Sequence, residues 1–482
     1  MTILDVVIII LYLVVLVLIG VAVSKNVKSY EDSVVAGRSF GGLLAGVGKA
    51  ANLAGGSTSV GGTGYGFTYG ISGSWFGIAN IGVGFVMLPF VKRLWNAMHR
   101  GGFTTIGDYI GYRFGKEAKL ISGFLNCIAY TGFVASQVVA TGTIVSVLLG
   151  WDIVFAMVIT TVVVIGYSIL GGLKAVVYTD CLQMAILYIG MVFILMPKSV
   201  GEVGGFTELM NRVPAAFTDI GAMGWFTIIG VLLIPTLAAP FTMQASYSYT
   251  ASCRDVKAAF SSQLWCSLLY ALPAFAVIFI GMCGYLLYPE MTNSNDVLPT
   301  MILELLPTGL IGILLAAILS ATMSTSSTCL ICATNCFVTD VWGELVKKEL
   351  NQKQQLAMTR TVMGVIGVCT LIISIFYPNI IELIVLGYAI GAGGLLVPAM
   401  AAMFSKRATK AGCLASMILG GGLYVFVQLT GISGYPPIFF AAPASLAAML
   451  VVSAMTKKPD PSCYDVYFDE EWEKSPNNPQ RA

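Results

Sequence analysis

The sequence is poor in charged residues and contains almost no histidine. Only 10% of its 482 residues are charged, against about a quarter in soluble domains. The formal net charge of +2 argues against a basic protein that binds nucleic acid. The one histidine, His99, lies in a charged loop, and no Ser-His or His-x-x-His arrangement is present. Because an enzyme needs such an acid-base group or a metal, the sequence indicates a protein that is not an enzyme.

The cysteines and the N-terminus give no sign of secretion. The 11 cysteines lie mostly inside apolar runs without metal-ligand spacing, so we interpret them as small buried residues rather than disulfides or zinc ligands. The first apolar run lacks a basic start and is too long for a cleavable signal peptide, so it predicts a membrane span.

What the sequence does contain is long apolar runs, and 57% of its residues are hydrophobic. Each run of about 20 such residues is long enough to cross a bilayer as a helix. The runs predict an all-α polytopic membrane protein with about 13 transmembrane helices. The predicted spans are 4–24, 42–68, 73–92, 120–148, 152–170, 177–198, 223–249, 259–288, 306–338, 358–377, 381–404, 411–430 and 436–456.

Lysine and arginine are distributed unevenly between the predicted loops. If the N-terminus lies outside, all of the 26 cationic residues are cytoplasmic except Lys198, Arg212 and Lys49. Because loops that stay in the cytoplasm carry most Lys and Arg, this predicts a multi-pass plasma (inner) membrane protein with its C-terminus in the cytoplasm. The polar tail after Thr456 predicts a mobile cytoplasmic end.

Two of the spans contain residues that interrupt helices. The second span has Gly55 and Gly56 at its centre, and the seventh contains Pro235 and Pro240, each of which removes a backbone donor. The two spans lie five apart, which is typical of inverted-repeat transporters that bind their cargo between broken helices. The alternative is that the small residues only allow close helix packing.

Hydroxyl side chains crowd the ninth span, in "LSATMSTSSTCLICA". Ser324, Ser327 and Thr328 share one helical face by their spacing. Hydroxyl and carbonyl oxygens suit hard cations such as Na⁺. The alternative is that each hydroxyl bonds the carbonyl one turn earlier in its own helix.

An acidic residue, Asp180, precedes the apolar part of the sixth span in "GGLKAVVYTDCLQ". Acids within membrane segments are costly and usually functional, so a cation is the expected partner. The alternative is that Thr179 and Asp180 cap the start of the helix.

Four motifs together resemble one family, the sodium/solute symporters, which are LeuT-type inverted-repeat secondary transporters. They are "AGRSFGGLLAGVGKAANLAGGSTSVGGTGYGFTYG", "TTIGDYIGYRFG", "GGLKAVVYTDCLQ" and "ATMSTSSTCL". The resemblance implies a core of two inverted repeats of five helices. It divides the chain into a first helix and loop (1–39), two five-helix repeats (40–200 and 201–405), two peripheral helices (406–456) and a cytoplasmic tail (457–482).

The resemblance also implies sodium as the co-transported ion. The family's principal sodium site matches carbonyls of Ala51, Ala54 and Ala321 and hydroxyls of Ser324 and Thr325. Some members hold a second sodium between groups that match Asp180, Ser324, Ser327 and Thr328, and the alternative is that these groups lie on the exit path of the first ion. One sodium ion is therefore expected, with oxygens present for a second.

The implied function is sodium-coupled symport, which imports a small organic solute by alternating access. The family's proline-type members carry polar residues that match Leu53 and Gly55, and the sugar-type members carry them at Leu53, Thr58 and Gly77. Only Thr58 keeps an oxygen, so proline and sugar are less favoured than a monocarboxylate, amino acid or vitamin-like acid. The positions expected to face the solute are Leu53, Gly55, Thr58, Phe76, Gly77 and Gln244, with Tyr247 nearby.

Lys49 departs from the family, which has a small neutral residue there. Its side chain either extends to the cytoplasmic vestibule or pairs with Asp180 when sodium is absent. Two other functions stay open: a solute sensor with the transporter fold, and a proton-coupled relative in which Lys49 or Asp180 replaces the ion. The expected partners are the solute, sodium and the lipid bilayer, with no obligatory protein partner.

Overall fold

The computed structural model describes residues 2–24, 35–170, 173–346 and 352–478. Over these ranges the chain forms helices and loops, and the only strand-like pairing is an isolated bridge between Phe40 and Cys253. Ten helices there are long and apolar enough to cross a bilayer. The predicted all-α membrane fold is confirmed, but the count of about 13 helices is not.

The described part of the first half of the chain contains nine principal helices, and the first interruption separates the second of them from the third. They are α1 (Ile3–Ser24), α2 (Gly42–Leu53), α3 (Gly56–Tyr69), α4 (Ser74–Met87), α5 (Val91–Arg100), α6 (Ile106–Phe114), α7 (Lys116–Leu149), α8 (Ile153–Leu170) and α9 (Leu173–Leu187). The last of these continues through a π-helix, Tyr188–Leu195, into a final turn, Met196–Glu202.

The second half repeats the pattern of an interrupted helix followed by long ones. Short helices in the connections include Phe206–Arg212, Ala215–Thr218 and Val297–Leu305. The principal helices are α10 (Ile234–Thr242), α11 (Gln244–Ser252), α12 (Val256–Leu287), α13 (Leu310–Asn335), α14 (Gln352–Phe376), α15 (Ile380–Phe404), α16 (Lys410–Thr430) and α17 (Ile438–Met455).

The predicted second span is two helices separated by the first break, Ala54–Gly55. Ala54 still donates its N–H to the carbonyl of Ala50 at 2.7 Å, and Gly55 is then extended with ψ near 170°. Gly55 and Gly56 have negative φ, so glycine is needed here for space rather than for backbone freedom. A Cβ on Gly56 would overlap the Thr322 hydroxyl of α13, and one on Gly55 would lie 2.7 Å from Thr325 Oγ1.

The second break lies at Met243, not at the prolines that led us to predict it. Pro235 and Pro240 both lie inside α10, which continues to Thr242. Pro240 removes a backbone N–H and weakens the helix, but the chain changes direction only where Met243 becomes extended, with φ −103° and ψ 129°. The predicted broken helix is therefore confirmed, and the predicted position of its break is corrected.

Two long helices hold these breaks in the interior. α7 packs against α13 and α15, and α12 packs along α2, α3 and α4. α3 and α12 lie so close together that a Cβ on Gly281 would overlap the Thr63 carbonyl. Both breaks consequently lie next to α7, and the first also lies next to α13.

The described part of the tail, as far as residue 478, folds into short helices that pack on the protein, which corrects the prediction of a mobile end. Its short helices cover Pro461–Cys463, Asp465–Tyr467 and Asp469–Trp472, and Tyr467 is buried where its hydroxyl donates to the Tyr109 carbonyl. Arg100 donates to Asp469 at 2.6 Å, and this hydrogen bond holds the pKa of Asp469 below its usual range. The tail is polar in overall composition, but its aromatic side chains bury apolar area against α5 and α6 and so hold it in place.

Candidate functional site

The first break exposes the last carbonyls of α2. No backbone N–H within the described ranges donates to the carbonyl of Ala51 or Ala54, as expected where a helix stops. Ser59 Oγ reaches the Ala54 carbonyl at 3.4 Å, a long contact. Two carbonyl oxygens predicted to bind sodium therefore keep capacity for another ligand.

The hydroxyls of α13 divide into two groups. Those of Thr322 and Ser326 donate to the carbonyls four residues earlier, at 2.7 Å each, as helix-bound hydroxyls do. Ser324 instead donates to Asp180, and Thr325 and Thr328 make no side-chain hydrogen bond in the part of the chain that the structure describes. The predicted sodium ligands Ser324 and Thr325 are thus hydroxyls that the helix itself does not satisfy.

Asp180 is deep inside a helix and is not a cap. α9 begins before it, within the described residues at Leu173, so the capping interpretation is wrong. Its carboxylate oxygen accepts from Ser324 Oγ at 2.6 Å, and the residue is 4% exposed. The structure therefore brings the predicted acid directly to the hydroxyl cluster of α13.

The other two residues of the predicted second ion site, Ser327 and Thr328, do not contact Asp180 through a hydrogen bond. Ser327 donates to the Met323 carbonyl at 2.9 Å and accepts from Ser168 of α8 at 2.9 Å. Thr328 is buried and borders a small cavity beside Ser248 and Tyr249. Asp180 and Ser324 are in direct contact, whereas Ser327 is bound to α8.

Lys49 is buried on α2 and hydrogen-bonds α12. Its Nζ donates to Ser262 Oγ of α12 at 3.2 Å, and the described residues contain no ion pair of Lys49. The predicted Lys49–Asp180 pair is not formed in this conformation. Lys49 instead borders a cavity of about 60 Å³, which Leu53 also lines.

The positions predicted to face the solute do not all meet. Leu53 lines the Lys49 cavity, and Thr58 donates across the first break to the carbonyls of Leu53 and Gly55, at 2.6 and 2.8 Å. Phe76 is buried on α4, beside Gly77, where a Cβ would lie 3.0 Å from Ala274 of α12. Leu53 and Thr58 therefore lie at the first break, whereas Phe76 and Gly77 lie on α4.

Gln244 and Tyr247 lie elsewhere, on α11. The Gln244 amide accepts from Ile106 N at 2.7 Å and donates to the Thr104 carbonyl at 2.8 Å. Tyr247 is buried, and its hydroxyl donates to the Phe241 carbonyl at 2.8 Å. Both side chains are engaged by the protein, and neither lines the Lys49 cavity.

Polar residues of α7 contact both breaks, and none of them was among the residues predicted from the sequence. Gln137 Oε1 accepts from Ser57 N at 3.3 Å beside the first break. Asn126 accepts from Gln244 N at 3.0 Å and donates to the Thr242 carbonyl at 3.1 Å, so it bridges the second break. Amide side chains inside an apolar span are costly, and this was the signal that would have identified them.

A second cavity, of about 430 Å³, lies along α3 beyond the first break. Gly61, Gly64 and Tyr65 line it on α3, Asn293 lines it from a loop and Glu382 from the first turn of α15. The Lys49 cavity borders α2 and this one borders α3. The first break therefore lies between two cavities along one interrupted helix.

Comparisons with known proteins agree with this arrangement. The family model described as the sodium:solute symporter family matches residues 34–420. The high-affinity proline transporter PutP of Bacillus subtilis is 25% identical over 471 residues, which cover 94% of this chain and 98% of the relative. The sodium/glucose cotransporter 1 of Oryctolagus cuniculus is 26% identical over 478 residues, which cover 86% of this chain and 70% of the relative.

The fold also matches a solved transporter. A Na⁺-coupled sialic acid symporter, in a substrate-bound outward-open state, superposes with a TM-score of 0.77 at 21% identity. The match covers 95% of this chain and 99% of that one. It shows a shared LeuT-type fold, and the family match extends over most of the sequence. This chain is a multi-pass membrane protein that belongs to the sodium:solute symporter family.

Proposed function

We propose that this protein is a secondary active symporter that uses an inward sodium gradient to import a small organic solute by alternating access. The principal sodium ion is held by carbonyls of Ala51, Ala54 and Ala321 and by hydroxyls of Ser324 and Thr325. Such oxygens, at the end of an unwound helix, are typical ligands for a hard cation.

The observation that carries this proposal is the coincidence of unsatisfied oxygens at the first break. Ala51 and Ala54 present carbonyls that accept no backbone N–H among the described residues, and Thr325 lies against Gly55 with its hydroxyl unbonded in the same ranges. Buried polar groups without partners cost about 1–3 kcal/mol each. A bound sodium ion offsets that cost.

Asp180 belongs to a second ion site or to the exit path of the first ion. Its contact with Ser324 couples its charge to a ligand of the principal site. Thr328 and Ser327 complete the set on the same face of α13. A proton-coupled mechanism, the main alternative, would use Asp180 without sodium.

The solute is proposed to bind beside the first break, next to Leu53, Gly55 and Thr58, with Phe76 and Gly77 of α4 as further proposed contacts. The small and apolar character of these positions favours a monocarboxylate, an amino acid or a vitamin-like acid over proline or a sugar. With the N-terminus outside, the larger cavity along α3 opens to the exterior and the Lys49 cavity lies on the cytoplasmic side.

The test compares two threonines on the same helix. We expect sodium at ten times its Kd to raise the free energy of unfolding of the purified full-length protein by about 1.4 kcal/mol. We call the sodium concentration that gives half of the maximal stabilisation the sodium midpoint. Thr325→Val should raise this midpoint by about tenfold, since one ligand is lost. Thr322→Val, which removes a hydroxyl bonded within its helix, should leave the midpoint unchanged. The measurement is thermal unfolding in NaCl against KCl at equal ionic strength.

Three results would redirect the proposal. Equal melting in both salts would contradict a sodium site, and a pH series with Asp180→Asn would then test proton coupling. A sodium effect that Thr325→Val and Thr322→Val weaken equally would contradict the ligand assignment. Sodium binding without sodium-driven solute accumulation in proteoliposomes would favour the solute sensor.

A further inference from the structure

The cavity beside Lys49 contains more hydrogen-bonding capacity than the protein uses. Lys49 Nζ has three donors, and among the described residues its one side-chain hydrogen-bond partner is Ser262. Gln263, which also lines the cavity, is 4% exposed and makes no side-chain hydrogen bond to the described residues. The Thr250 hydroxyl is buried beside the cavity without a partner in the described chain.

These groups are either positively charged or neutral. A lysine ammonium, a carboxamide and a hydroxyl are arranged around the cavity, and none of its lining residues is acidic. Burying a cation without a counter-charge is expensive. Acidic side chains supply that counter-charge in most proteins, but the described residues provide none for Lys49.

Apolar side chains also line this cavity. Leu53, Met87 and Pro240 of α10 border it, together with the uncharged polar residues Asn52 and Ser246. A volume of about 60 Å³ admits a few water molecules or a small polar group. One cation, uncharged polar groups and apolar side chains around one small cavity fit a monovalent carboxylate attached to a carbon skeleton, whereas a phosphate dianion would need a second cation.

We propose that this cavity binds the carboxylate of the transported solute, through Lys49 with Gln263 and Thr250, on the cytoplasmic side of the first break. The inference rests on the proposed symport function and narrows its solute to carboxylic acids. Leu53 connects the two sites, since it lines the cavity and its carbonyl accepts from Thr58 at the break. In this proposal, Lys49 binds the carboxylate after the solute and the sodium ion have left the first break.

The experiment uses pairs of molecules that differ in one charge. The full-length protein in nanodiscs is melted in sodium with acetate, pyruvate, lactate or nicotinate, and with the corresponding neutral amides. Wild type should be stabilised by at least one carboxylate and not by its amide. In Lys49→Met the Kd for that carboxylate should rise about tenfold or more, which is about 1.4 kcal/mol, whereas Lys49→Arg should retain part of the affinity.

Two further variants make the result specific. Gln263→Leu should weaken the carboxylate effect without changing charge, and it serves as an independent test if Lys49→Met does not fold. Lys257→Met removes an exposed lysine on the same helix as Gln263 and should behave like wild type.

The proposal is overturned if no carboxylate exceeds its amide in wild type, or if Lys49→Met and Gln263→Leu both respond like wild type. The sodium response is measured without solute in the same samples. Its loss together with an intact carboxylate effect would contradict the proposed sodium coupling and leave the cavity assignment standing. An intact sodium response without any carboxylate effect would contradict only the cavity assignment.

Discussion

The first and second breaks share a neighbour, α7, but they differ in what remains unsatisfied. At the second break, Asn126 binds both sides of the interruption, and Tyr130 accepts from Ala245 N at 2.7 Å. At the first break, the described residues give the Gln137 side chain one hydrogen-bond partner, Ser57, whose N–H donates to Oε1 and whose hydroxyl accepts from Nε2. The second break is therefore closed by protein groups, and the first retains oxygens for a ligand.

The two breaks also differ in how closely they approach their surroundings. The first presents Gly55 and Gly56 directly to α13, with no room for a Cβ. The second is formed by Met243, a residue with a side chain, and Asn126 of α7 hydrogen-bonds the backbone on both sides of it. An unwound helix alone does not make an ion site; the backbone must also lie against unbonded oxygens of another helix.

The strongest way to break this comparison is Gly56→Ala. Its Cβ would overlap Thr322 of α13 and force the first break away from the hydroxyls. Overpacking costs about 1–3 kcal/mol, so we expect sodium-driven uptake to fall by about 100-fold and the sodium effect on melting to disappear. The measurements are uptake in proteoliposomes and melting in NaCl against KCl.

The control for that substitution is Gly422→Ala in α16, where an added Cβ meets no atom within 4 Å. It should leave uptake and melting unchanged. Normal sodium dependence in Gly56→Ala would mean that close contact between the first break and α13 is not required.

The next largest effect is expected from replacing each of the two α7 amide side chains by leucine. Asn126→Leu leaves the Gln244 N–H and the Thr242 carbonyl without partners, at about 1–3 kcal/mol each. We therefore expect a clear drop in thermal stability with an unchanged sodium midpoint. Gln137→Leu, next to the first break, should instead raise the sodium midpoint. The opposite assignment of these two effects would show that the second break holds the ion.

The sequence predicted the first break more accurately than the second for a physical reason. Glycine indicates that the backbone packs closely against a neighbour, and Gly55 and Gly56 lie directly at the interruption. Proline indicates only that a backbone N–H is missing. α10 contains Pro235 and Pro240 and still continues until Met243. That end depends on Asn126, which lies far away in the chain and which no local pattern connects to it.

Side-chain direction was the other property that the sequence did not provide. Spacing placed Thr322 and Thr325 in one cluster, but only the surroundings decide which hydroxyl bonds its own helix. In the same way, Gln244 was expected near the solute, and the structure places its amide against Thr104 and Ile106. The resemblance of motifs identified the family, whereas the roles of individual hydroxyls required the packed structure.

The smallest effect in this comparison is expected from Asp180→Asn. The asparagine oxygen still accepts from Ser324, so geometry is kept while the negative charge is removed. A charge that acts through one hydroxyl is worth on the order of 1 kcal/mol, which corresponds to about a fivefold higher sodium midpoint in melting experiments. Asp340→Asn is the matched control, because Asp340 is buried on the continuation of α13 and accepts from Thr105 at 2.7 Å, away from the break. If Asp180→Asn abolished sodium binding altogether, Asp180 would be a direct ligand, and the first break would hold its ion by charge rather than by neutral oxygens.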